Sequence, residues 1–154
     1  MPDRQDEIST LNNLVTTLID SINGYEDAAS HSEAGRFQQM FRERAGDRQR
    51  VLEDLRAEIR RLGGEPESGG SFLGKTHQRW LDLKSAITGR DDKAIIDEVE
   101  RGEDYLKEKF ESALGEGKLS GDTRALVERC YQSVKSGHDQ ISQLKHGMET
   151  GTHA

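Results

Sequence analysis

The chain has 154 residues, enough for one domain with a real core and too few to expect two. With 32% hydrophobic residues, 33% charged residues and a mean hydropathy of -0.86, its apolar side chains suffice for a core only if nearly all of them sit on helix seams. A net charge of -7 and a pI near 5.3 argue against sequence-independent binding to nucleic acid or to an anionic membrane, because both need a basic surface.

The apolar periodicity predicts a first helix from about Asp6 to Ala29 with a seam of Leu11, Val15, Leu18 and Ile22. A break at Ser30, His31 and Ser32 then supplies an N-cap for a second helix, from about Glu33 to Leu62, which Gly63, Gly64 and Pro66 stop. Residues 65–74 are rich in Gly and Ser and read as a flexible linker. A short amphipathic helix is expected from about Lys75 to Thr88, docked by Trp80, Leu81, Leu83 and Ile87. Gly89 and Asp91 separate it from a long helix ending near Gly115 and Gly117, and a last helix runs from about Asp122 to Met148, leaving a frayed tail over 149–154. No stretch alternates with strand period. The expectation is therefore one all-α domain over 1–154, with its core at about 6–148: four long helices in an antiparallel bundle, and a short crossover helix between the second and third.

No apolar run exceeds three residues, so no membrane-spanning helix is expected, and the polar start MPDRQDE lacks the apolar core of a signal peptide. Cytoplasm is the default reading. Cys130, the only cysteine, fits a reducing compartment and falls on the last seam with Val127, Val134 and Ile141, where a small buried thiol is ordinary.

Two carboxylates disturb this pattern. Glu103 interrupts the stripe of Ile96, Val99, Leu106, Phe110 and Ala113, within roughly 30° of its centre at about 100° per residue. Glu26 is read as inward in the same way, about 45° off the centre of the first seam. An ionised carboxylate carried into a core must be protonated, ion-paired or bound to metal. On the second helix, Arg44 and Arg48 fall near the centre of the seam of Phe37, Phe41, Val51, Leu55 and Leu62, so they are candidates to pair with Glu26 and Glu103. The halves also echo one another: Gly24-Tyr25-Glu26-Asp27 against Gly102-Glu103-Asp104-Tyr105, and Gly46-Asp47 against Gly137-His138.

Gly24-Tyr25-Glu26, Leu62-Gly63-Gly64-Glu65-Pro66, Trp80-Leu81-Asp82-Leu83-Lys84, Glu100-Arg101-Gly102-Glu103-Asp104 and His138-Asp139 resemble a family of uncharacterised bacterial ferritin-like four-helix-bundle proteins, over about Ile8 to Leu144. The resemblance implies kinship with bundles that hold two iron or manganese ions between helices. Those bundles use one Glu from each of two helices and a Glu-x-x-His from each of the other two. Here Lys135 stands three before His138, Arg44 stands three before Asp47, and Asp47 takes a histidine's place.

Two readings follow. In the first, Glu26, Arg44, Arg48, Glu103 and His138 form a buried polar network that fixes helix register, and the protein is a non-enzymatic, stress-related or accessory binding protein without a cofactor. In the second, Glu26, Glu103, His138 and Asp47 hold iron or manganese in a carboxylate-bridged oxidase or iron-handling protein. The orientation of Arg48 separates them: inward, it disfavours a dication; outward, it leaves room for one. A homo-oligomer, dimer or larger, is expected, with no nucleic acid or membrane partner and an unidentified protein partner.

Gly69-Gly70-Ser71-Phe72-Leu73-Gly74-Lys75-Thr76 matches the phosphate-binding loop pattern letter for letter. That loop works only between a parallel strand and a helix, and here a helix and a linker precede it, so nucleotide binding is not expected. His31, His77, His146 and His153 fall in a turn, the short helix and the C-terminal end, and are expected to be solvated.

Overall fold

The computed structural model describes residues 3–32, 35–68 and 92–151. These residues are all-α, with α1 (Arg4–His31), α2 (Gly35–Arg61), α3 (Asp92–Gly115) and α4 (Gly121–Gly151). The expected crossover helix and the phosphate-loop lookalike lie outside the described residues, as do His77 and His153.

The helix ends follow local chemistry. Asp3 caps α1 by accepting from the Gln5 backbone N–H at 3.1 Å, so the helix starts at Arg4, ahead of the Asp6 that the apolar pattern suggests. At its other end the expected break does not fall at Ser30. His31 stays helical, with Nδ1 2.9 Å from the Asp27 carbonyl, and Ser32 closes the helix through its backbone N–H and hydroxyl on the Ala28 carbonyl. The end of α2 is a Schellman turn: Gly63 has φ of 86°, its N–H donates to Arg60, and the Gly64 N–H donates to Ile59. Gly64 is needed for a second reason, because a Cβ there would lie 2.8 Å from the Ile8 side chain of α1. The tail expected to fray after Met148 is helical as far as Gly151; no proline interrupts it, so the backbone ladder continues.

α1 packs against α2 and α3, and α4 packs against α3 and α2. The apolar side chains between them form two clusters. One holds Leu11, Val15 and Leu18 of α1, Leu55 and Ile59 of α2, Leu106 and Phe110 of α3, and Val127 and Val134 of α4. The other holds Tyr25 and Ala28 of α1, Phe37 and Phe41 of α2, Ile95, Ile96 and Val99 of α3, and Ile141 of α4. Every helix changes cluster at a glycine or a charged residue: Gly24 on α1, Arg48 on α2, Gly102 and Glu103 on α3, Gly137 on α4. The core is thus divided by a polar layer.

Candidate functional site

Arg48 and Glu103 form the centre of that layer. Both side chains are fully buried, and Arg48 Nη2 donates to Glu103 Oε2 at 2.6 Å and to the Val134 carbonyl at 3.4 Å. The pair joins α2 to α3 and touches α4. Helix sterics decide who sits beside it. A Cβ on Gly137 would lie 2.6 Å from Arg48 Nη2 and 3.1 Å from both Cδ and Nε of Arg44, so the two guanidinium arms cross α4 where no side chain stands.

Arg44, one turn before Arg48 and also buried, reaches the layer's edge. Its Nη1 donates to Asp47 at 2.9 Å and its Nη2 to the side-chain oxygen of Gln140 on α4. From α1, Tyr25 completes the layer: its ring packs tilted against Phe41, centroids 6.0 Å apart, and its hydroxyl faces the Glu103 carboxylate without reaching hydrogen-bond geometry. Burial and Glu103 together raise the Tyr25 phenol well above its ordinary pKa, against the opposing pull of Arg48, so it stays a neutral donor. Burial works against the charge on Arg48, but the adjacent Glu103 carboxylate outweighs it and leaves the guanidinium more firmly protonated than usual.

The expected site residues do not all meet. Glu26 is exposed, a correction to its expected inward placement. A seam that follows neighbouring helices drifts by about 20° per heptad on a straight helix, and over the two heptads from Leu11 this drift carries the buried face away from Glu26 toward Tyr25 and Ala28. His138 is half-buried at the α3–α4 edge and meets two aspartates, not Glu103: Nε2 lies 2.5 Å from Asp104 Oδ1 and Nδ1 3.2 Å from Asp139 Oδ1. Asp47 is partly exposed and engaged by Arg44 and Arg50. Among the described residues, no group of three or more His, Cys, Asp or Glu side chains could hold a metal ion.

Consecutive residues of Glu100-Arg101-Gly102-Glu103-Asp104 serve different surfaces, as helix geometry requires. Glu103 points inward, Asp104 meets His138, and Glu100 accepts from Ser142 at 2.7 Å and Lys145 at 2.9 Å on α4. Burial opposes the negative charge on Glu100, but those two donors prevail and lower its pKa. Burial also works against protonation of His138, while Asp104 and Asp139 raise its pKa on balance. Cys130 is buried, and burial pushes its thiol up to about 12, which disfavours the thiolate form at neutral pH.

The layer meets the surface along a groove of about 750 Å³ between α2 and α4, whose lining includes Arg44, Asp47, Ser136 and Gln140. The periodicity did not single out Tyr25 or Gln140, although Tyr25 stood in the echoed Gly-Tyr-Glu segment. A model for a domain of unknown function, DUF2383, matches residues 6–116, well over half of the chain. The chain belongs to the DUF2383 family. The matched span runs from the first turn of α1 to the end of α3, so it includes Tyr25, Arg44, Arg48 and Glu103 of the layer, while Gly137 and His138 lie beyond it on α4. No curated protein matches the chain. No helix among the described residues is long and apolar enough to cross a membrane.

Proposed function

We propose that this DUF2383 protein is a non-catalytic helical scaffold, an antiparallel bundle of ferritin-like build whose ancestral metal layer has become an ion-paired register lock. The carrying observation is Arg48, buried and 2.6 Å from Glu103. In a di-metal bundle that carboxylate would face a dication, and a guanidinium in its place satisfies the carboxylate while repelling divalent metal. The raised pKa of the buried Cys130 thiol and the engagement of His138 by two aspartates fit the same reading. Its work is then done by its outer surface, as a cytoplasmic, stress-related or accessory binding protein that presents helix faces to a protein partner or to further copies of itself.

The test is metal analysis of untagged protein expressed with and without added iron. The scaffold reading expects substoichiometric iron, manganese and zinc under both conditions. One or more equivalents that fall away in Glu103→Gln would replace it with the oxidase or iron-handling reading.

A further inference from the structure

The polar layer contains more hydrogen-bonding capacity than its own side chains use. Arg48 is fully buried, yet Nε and Nη1 have no partner among the described protein atoms. The same is true of Arg44 Nε, Glu103 Oε1, the Tyr25 hydroxyl and the Ser21 hydroxyl, one turn before Tyr25 on α1. Those of Arg48, Arg44, Glu103 and Tyr25 lie within the layer, from α1, α2 and α3. Buried polar groups in folded proteins are nearly all satisfied, because an orphan loses its water without gaining a replacement.

The chemistry of the orphans restricts what can satisfy them. One N–H on each arginine Nε and two on Arg48 Nη1 need acceptors, while the Glu103 carboxylate has the Tyr25 hydroxyl facing it as a donor. At the centre of the layer Arg48 is matched by Glu103, and at its edge Arg44 shares Asp47 with Arg50. An anion beside the Arg48 head would face the Glu103 carboxylate already paired there, and a metal ion would face two guanidinium groups. The remaining class is small, neutral and both donor and acceptor. From these residues we infer that the layer is an internal hydration site, holding at least two ordered waters between Arg48, Arg44, Glu103 and Tyr25.

Two is the minimum because one water accepts at most two hydrogen bonds and the arginines alone present about four unmatched N–H groups. Arg44 connects the site to solvent: it lines the α2–α4 groove on one side, and over Gly137 it lies beside the Arg48 head on the other. The route in is thus past Arg44 and Gln140. The inference rests on the layer being an ion-paired structural element, and the two readings can fail separately. A metal-loaded protein sinks the scaffold proposal, whereas a metal-free protein with a dry layer sinks only the hydration site.

The measurement is water ²H and ¹⁷O magnetic relaxation dispersion on the full chain, which counts waters held longer than the tumbling time. The wild type should hold at least about two more such waters than Arg48→Met/Glu103→Leu. Equal counts in the two proteins would overturn the site. Should the double variant not fold, cross-relaxation between water and the Arg48 Nε–H in the wild type decides: a signal supports the site, and its absence overturns it. A saturable, chloride-dependent ³⁵Cl relaxation that Arg48→Met abolishes would also overturn it, by making the occupant an ion.

Discussion

Two charged contacts at neighbouring levels of the fold have opposite surroundings. Arg48 and Glu103 meet where both side chains have no exposure, whereas His138 meets Asp104 at the α3–α4 edge, where the aspartate is 52% exposed. In the first contact each ion depends on the other, since bulk solvent does not reach the pair to screen an unmatched charge. In the second, solvent competes for both groups and screens them. A hydrogen bond of similar length therefore has different consequences: one ties a buried α2 side chain to α3 and α4, the other lies at an edge where pH and salt act on it.

The largest effect should come from breaking the buried pair. Glu103→Ala strands the Arg48 cation and is expected to destabilise the protein by about 3–5 kcal/mol in denaturant melts. Glu26→Ala is the control, and with an exposed side chain it should stay within about 0.5 kcal/mol of wild type.

Next comes the glycine that admits the arginines. Gly137→Ala places a methyl 2.6 Å from Arg48 Nη2 and should cost about 1–3 kcal/mol despite the better helix propensity of alanine. Its counterpart in the sequence echo separates propensity from packing. A Cβ on Gly46 meets nothing within 4 Å, so Gly46→Ala should be neutral or stabilising by up to about 1 kcal/mol. Equal effects at the two glycines would contradict the crossing of α4 by Arg48 and Arg44.

The smallest effect belongs to the edge contact. The pKa of His138 is raised by Asp104 and Asp139, so its contribution is fully present below the unfolded pKa of about 6.5 and is lost as pH rises through the higher folded value. Nearby Lys107 opposes that rise. His138→Gln should therefore cost more at about pH 6 than at about pH 9, with a difference of about 1 kcal/mol or less. A gap that widens toward high pH would show that the imidazole acts as a neutral group instead.

Much of this division could be read from the residues. Glu103 was conspicuous because it broke an apolar stripe near its centre, and Arg44 and Arg48 because they stood where leucines would; position along one helix is enough to predict burial when the deviation from the seam is small. Glu26 departs from the expected burial because a fixed angle per residue ignores the drift of a seam that tracks its neighbours, and about 40° of drift over two heptads exchanges Glu26 for Tyr25. The pairing of His138 was hidden for a different reason. Its alternatives, Glu103 and Asp104, are adjacent in sequence but about 100° apart on α3, and only the placement of α4 against α3 selects between them. The orphaned polar atoms of the layer could not be read at all, since they depend on which guanidinium nitrogen faces which neighbour.

The central claim, that Arg48 and Glu103 act as one buried unit, is tested most directly by a double-mutant cycle of Arg48→Leu and Glu103→Leu followed by equilibrium unfolding. Each single variant should lose about 3–5 kcal/mol, and the double variant, with no stranded charge, should recover most of that loss, giving a coupling of about 3 kcal/mol or more. Additivity within about 0.5 kcal/mol would contradict the account.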